Sequence, residues 1–254
     1  MGLIRKILDT LLEGPVVDVR VGLHWTAVVV EVDGQLRCGL ASTLARPHNH
    51  GRRPAVPQAG ELESLPGRQL AEFALTEEPE LRSLGVAAVN ALLPREPQAW
   101  REGNAEEILA RIGKRKRTVL IGHFPFVPRL RNKLDQLEVI ERVPRGADLP
   151  ESAAPDVLPK AEVVAITGAA FVNHTLEDLL ALCSPEAIVM IVGPSSPLSR
   201  VLLDTAAHLV SGSIVTDIDR VLRVISQGGN FRQVHHAGVR LVTLARPEFE
   251  PVFD

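Results

Sequence analysis

The chain has 254 residues, 45% of them hydrophobic, and a formal net charge of -3 at pH 7, which is enough to bury a sizeable core and to form one large or two small domains. That charge offers no global basic field for a polyanion, and aromatics at 4% with no tyrosine leave few stacking platforms for bases, so nucleic acid is not an expected partner. No apolar run approaches the ~20 residues that span a bilayer, and Cys38 and Cys183 make no disulfide framework, so the expectation is a cytoplasmic protein with no membrane partner.

Leu3, Ile4, Ile7, Leu8, Leu11 and Leu12 recur at helical spacing over residues 3–12, until Gly14-Pro15 stops the helix. Valine-rich runs at 16–21 and 25–32 predict strands, and Asp33-Gly34 is a two-residue hairpin signal leading into a third strand through about Ala41. Residues 46–66 carry four prolines and read as a long surface loop. Helical patterns return at 67–75 and 79–92, and Asn104 to Glu107 resembles a capping box opening a short helix that ends near Gly113. The Lys114-Arg115-Lys116-Arg117 run reads as the solvated entrance of the next strand.

From Thr118 onward the character changes. Short apolar strands near 118–122, 137–141, 162–167, 187–192, 208–215 and 239–245 alternate with amphipathic helices, which predicts an α/β unit with a parallel sheet covered on both faces. Residues 144–160, with four prolines, read as an excursion between the second and third of these strands. Helix starts are expected at Thr175 with Asp178, at Ser196 before Pro197, and at Thr216 with Asp219.

Four glycine-containing segments fall at the ends of these strands: Gly122-His123-Phe124-Pro125-Phe126, Thr167-Gly168 through Asn173, Gly193-Pro194-Ser195-Ser196-Pro197, and Ser211-Gly212-Ser213 through Asp217. The carboxyl ends of the strands in an open parallel sheet are where ligands bind, so the four loops predict one composite pocket. Gly122, Gly168, Gly193 and Gly212 would allow close backbone approach, while Phe124, Thr167, Thr175 and Pro194 fall in the same loops. His123 is the leading polar residue, suited to binding metal, exchanging protons or hydrogen-bonding a neighbouring loop. Asn173 orients a ligand or stabilises its turn, and Ser195 and Ser196 either cradle an anion or form a rigid cap. No Gly-x-Gly-x-x-Gly or Walker loop follows a strand, and no Gly-x-Ser-x-Gly elbow occurs. His48, His50, His235 and His236 lack structural-zinc spacing and read as surface residues, and both cysteines as core or near-surface thiols.

Taken in order, the His123, Asn173-x-Thr175, Gly193 to Leu198 and Gly212 to Asp217 segments resemble the family described as "putative heavy-metal chelation", long listed as a domain of unknown function. Gly39-Leu40-Ala41 and Leu84 through Ala91 are similar to the amino-terminal domain that accompanies it. The resemblance implies an enolase amino-terminal-like α+β domain over residues 1–104, a Rossmann-like domain over 105–254, and a site in the cleft between them. It also implies a role in binding a divalent or heavy metal ion, or a metal-containing small molecule. One departure is His174, where the family's Asn-Gly-Thr turn has glycine; it either adds a ligand to the pocket or replaces a turn residue.

The leading expectation is therefore a protein that binds a small anionic or metal-bearing ligand between its domains. His123, Asn173, Ser195, Ser196 and Asp217 would be its polar contacts, Asn90 would close the pocket from the amino-terminal side, and His123 and His174 are the candidate metal ligands. The alternatives are an enzyme acting on a nucleotide or other phosphate-bearing metabolite, with His123 as acid or base, and a ligand-sensing module without turnover. A homodimer is the expected assembly, since two-fold dimers are the commonest oligomers.

Overall fold

The computed structural model describes residues 2–45 and 54–253, so His48 and His50 lie outside the described residues. After a helix at Gly2–Leu8, strands β1 (Val16–Val21), β2 (Trp25–Val32) and β3 (Gln35–Ser42) form a three-stranded antiparallel sheet. The first helix is shorter than its apolar spacing predicts. Thr10 and Leu11 donate to carbonyls only three residues back, and the Leu12 N–H turns away to the Leu92 carbonyl. The β2–β3 hairpin is as expected: Asp33 and Gly34 both have positive φ, 53° and 72°, the mirror-image turn whose twist matches that of the flanking strands.

One face of this small sheet, through Val28, Val30 and Ala41, packs on helix Pro79–Leu92. The opposite face, through Ala27, Val29, Cys38 and Leu40, packs on helices Ile218–Ser226 and Phe231–Gly238 from the far end of the chain. β2 is thus buried on both sides, which is why its sequence is nearly continuous valine rather than alternating.

The second sheet comprises β4 (Arg101–Glu102), β5 (Arg117–Ile121), β6 (Gln136–Glu141), β7 (Leu149–Pro150), β8 (Val163–Thr167), β9 (Ile188–Val192), β10 (Ala207–Val215) and β11 (Val239–Ala245). Their spatial order is β4-β11-β10-β9-β8-β5-β6-β7. All pairings from β10 to β7 are parallel. The architecture is therefore α/β, a parallel-rich eight-stranded sheet preceded by a smaller α+β element. The last expected strand corrects the all-parallel reading: β11 runs antiparallel to β10, and β4 antiparallel to β11. The two helices after β10 pack on the small sheet and return the chain in the opposite direction, so no parallel crossover forms.

Alternate residues of the central strands face opposite cores. Val119, Val164, Ile166, Val189 and Ile191 join the core shared with the amino-terminal helices. Leu120, Val163, Ala165, Met190 and Val192 pack with helix Ala105–Ile112 on the other side. That helix is capped by Asn104, whose side chain accepts the Glu106 N–H at 3.0 Å. The three later caps differ from expectation. Thr175 precedes helix Leu176–Leu182 but makes no side-chain cap. Ser199, not Ser196, caps Arg200–Leu203, and Asp217, not Thr216, caps Ile218–Ser226 by accepting the Arg220 N–H at 3.1 Å. Cys38 and Cys183 are free, and burial pushes their thiols up to about 12 and about 11.

Candidate functional site

The strand order reverses between β5 and β8: from β5 the chain moves outward to β6 and β7, then returns to the other side of β5 and proceeds through β9 and β10. Such a switch point leaves a crevice beyond the carboxyl ends of the strands. Here the crevice opens where β5 gives way to Gly122-His123 and β8 to Thr167-Gly168. Gly122 has φ 105°, and a Cβ on it would lie 3.0 Å from the Thr167 Cβ, so only glycine lets the two strand ends stand side by side.

Two adjoining cavities occupy this end of the sheet. The first, about 220 Å³, is lined by Gly122, His123, Phe124, Thr167, Asn173 and Thr175 together with Glu141, Arg142 and Glu151. The second, about 320 Å³, shares Phe124 and Thr167 with it and extends past Gly193, Pro194, Ser195 and Gly212 to Trp25 and Ser42 of the small sheet. Phe126, Phe231 and Val192 make this second cavity predominantly apolar, and Phe124 and Phe126 stack with ring centroids 5.0 Å apart. The structure thus gathers Gly122, His123, Phe124, Thr167, Asn173, Thr175, Gly193, Pro194, Ser195 and Gly212 around one crevice.

The remaining predicted residues lie elsewhere. Gly168 and Ser196 touch behind the wall: a Cβ on Gly168 would meet the Ser196 Oγ at 2.4 Å. Asn90 sits at the junction of the two sheets. Its Nδ2 donates to the Leu40 carbonyl at 2.8 Å and to the Ser195 carbonyl at 3.3 Å. Ser195 Oγ in turn accepts the Ser42 N–H at 2.9 Å. Asn90 Oδ1 and Ser196 Oγ are both buried and make no hydrogen bond among the described residues. Asp217 lines neither cavity; its carboxylate is spent on the helix cap.

His174 also stands apart. It keeps the left-handed backbone that its turn requires, φ 61°, and its Nε2 lies 2.7 Å from the Ala74 carbonyl oxygen. Its ring faces Leu3, Ile4 and Phe171, not His123. Burial holds His174 below the ordinary imidazole value of 6.5, and burial likewise lowers His208, whose Nδ1 accepts the Val189 N–H at 3.1 Å. Because both folded values are depressed, the unfolded chain takes up protons first as pH falls. Their stabilising contribution is complete above pH 6.5 and is lost as pH drops through the folded values. A denaturant-melt series from pH 8 to 5.5 is expected to show this loss, and the double variant His174→Gln with His208→Asn is expected to flatten it.

At the more polar end, His123 is held at two points. Its N–H donates to Glu141 Oε2 at 2.7 Å, its Nδ1 lies 2.6 Å from Asp148 Oδ2, and its ring borders the first cavity. Sequence reasoning missed Asp148, Glu141, Trp25, Ser42 and Phe231. Asp148 lies in the proline-rich excursion, 25 residues from His123, and carries no local signal for its partner.

The family model DUF364, described as "Putative heavy-metal chelation", matches residues 104–243, more than half of the chain. The chain belongs to the DUF364 family. A second model, DUF4213, with the same description, matches residues 4–93. Among curated proteins, the uncharacterized protein MJ0500 of Methanocaldococcus jannaschii is 26% identical over 216 residues, covering 82% of this chain and 81% of that one. A crystal structure of a DUF364 protein of unknown function from Desulfitobacterium hafniense DCB-2 superposes with a TM-score of 0.83 at 26% identity, covering 96% of this chain and 98% of that one. A DUF364 protein from Pyrococcus horikoshii, at 22% identity and a TM-score of 0.79 over 96% and 98% of the two chains, shares the fold. Among the described residues, no helix is long and apolar enough to cross a membrane.

Proposed function

We propose that this DUF364 protein binds a small metal-bearing or anionic molecule in the crevice between an enolase amino-terminal-like unit, residues 1–104, and a Rossmann-like unit, residues 105–254. We further propose that the metal arrives already chelated. The observation that carries this reading is the adjacency of a more polar cavity holding one anchored imidazole, His123, to a larger, predominantly apolar cavity walled by Trp25, Phe124, Phe126 and Phe231. The family description supports the metal.

A bare ion fits the donor set poorly. Among the described residues no group of three or more His, Cys, Asp or Glu side chains is placed to hold one. Glu141 and Glu151 share the cavity with His123 but are occupied: Glu141 accepts the His123 and Arg142 N–H groups, and Glu151 pairs with Arg142 at 3.6 Å. A metal complex brings its own ligands and needs one further donor, for which imidazole suits zinc, copper and nickel. Its organic framework would occupy the apolar cavity, and Asn173 and Thr175 would meet its polar edge.

The test is thermal melting of chelator-treated protein with free Zn²⁺, free Ni²⁺ and the copper(II)–iminodiacetate complex, with His123→Ala in parallel. The complex is expected to raise the melting temperature, by the equivalent of about 2.7 kcal/mol at a hundredfold excess over Kd, and His123→Ala to abolish the rise. A His123-dependent rise with the free ions instead would overturn the chelated form, and no rise with any of them would overturn the metal reading. One observation favours a second reading, an enzyme acting on a phosphate-bearing metabolite: an imidazole paired with a buried carboxylate is suited to general-base work. Stabilisation by a nucleotide without metal would support it.

A further inference from the structure

We infer that Asp148 is the positioning residue for His123, holding the ring with its proton on Nδ1 so that Nε2 presents a lone pair to the cavity. The inference deepens the proposed function and rests on His123 being the donor of that site. The Asp148 side chain has no exposed surface, whereas the His123 side chain is 23% exposed. A fully buried carboxylate requires partners, and Asp148 has three. Oδ2 lies 2.6 Å from His123 Nδ1 and accepts the Arg145 N–H at 3.1 Å, and Oδ1 accepts from Arg131 Nη2 at 3.3 Å. An ionised carboxylate only accepts hydrogen bonds, so its contact with Nδ1 requires the proton there. The main chain at His123 is fixed independently by Glu141.

A carboxylate behind a histidine sets which nitrogen is free, as in the outer shells of metal-binding imidazoles. Here that makes Nε2 an acceptor. The group that meets it is an electron-poor centre, a metal with an open position or a hydrogen-bond donor. Anionic groups of the ligand are left to the other walls of the crevice. The turn from Arg145 to Asp148 that precedes β7 therefore completes the site.

The tautomer can be read directly. Protein labelled with ¹⁵N-histidine is examined by two-bond ¹H–¹⁵N correlation at pH 8, where an ordinary imidazole is neutral, and His123 is assigned from the signal lost in His123→Gln. The wild type is expected to show the Nδ1–H pattern. Asp148→Asn, whose amide can donate to Nδ1, is expected to shift it toward Nε2–H, and Asp148→Glu to retain it. Copper(II)–iminodiacetate binding is expected to weaken about 10- to 100-fold in Asp148→Asn. An Nε2–H pattern in the wild type, or a tautomer unchanged in Asp148→Asn, would overturn the inference. If Asp148→Asn does not fold, the wild-type and Asp148→Glu spectra decide it. Failure of the wild type to bind the complex would sink the proposed function and leave the tautomer result standing.

Discussion

Replacing Gly39 with valine is expected to destabilise the protein by about 3 kcal/mol or more, because the added side chain has nowhere to go. Gly39 lies in β3 against helix Pro79–Leu92, and a Cβ there would stand 2.1 Å from the Ala87 carbonyl oxygen, 2.4 Å from the Ala91 nitrogen and 2.8 Å from the Asn90 carbonyl carbon. All three are backbone atoms of one helix, so no rotamer change relieves the clash. The helix must lift off the sheet, taking with it Leu84, Ala88 and Ala91, which are essentially fully buried. For a chain of this size the loss corresponds to a drop in melting temperature of roughly 6–12 °C. Calorimetry measures it; a Gly39→Val protein melting within 2 °C of the wild type, by this order-of-magnitude reckoning, would show that the helix does not rest on β3 as described.

Asn90→Asp is expected to open the junction between the sheets and weaken ligand binding together with stability. The amide donates to the Leu40 and Ser195 carbonyls, one on each side of the crevice. An ionised carboxylate would set oxygen against both acceptors in a partly buried place, at a cost of about 2–4 kcal/mol. Asn90→Ala, which removes the donors without adding charge, should cost about 1–3 kcal/mol. Urea midpoints compare the two. Because Ser195 lines the apolar cavity and its carbonyl is one of those acceptors, binding of the copper complex should fall more in Asn90→Asp than in Asn90→Ala. An Asn90→Ala protein as stable as the wild type would mean that Asn90 does not tie the two sheets together.

The elements that were legible in the sequence are those specified by neighbours in the chain. Asp33-Gly34 turns the hairpin through its own backbone preferences, Asn104 caps the helix that follows it, and runs such as Val163 to Ile166 are apolar at consecutive positions because both faces of the sheet are covered. The expected caps at Ser196 and Thr175 differ because other contacts engage those side chains, a tertiary one at Ser196 and a local one at Thr175. Ser196 Oγ is pressed against Gly168, which moves the helix start to Ser199, and Thr175 Oγ1 lies within 3.5 Å of the Ala170 carbonyl oxygen. His174 keeps a backbone conformation suited to glycine, yet its ring points to Ala74, a hundred residues away, which no local pattern specifies.

The same division runs through the site. The sequence by itself determined that glycine-bearing loops end the strands and that His123 stands at the first of them, since periodicity and turn preferences are local properties. Only the tertiary structure decided that Trp25 and Ser42 wall the crevice from the small sheet, and that the helices after β10 cover that sheet's second face. It alone decided, too, that Asp148 stands behind His123. These pairings join residues far apart along the chain, and their energy comes from burial and hydrogen bonds that exist only once both sheets have formed.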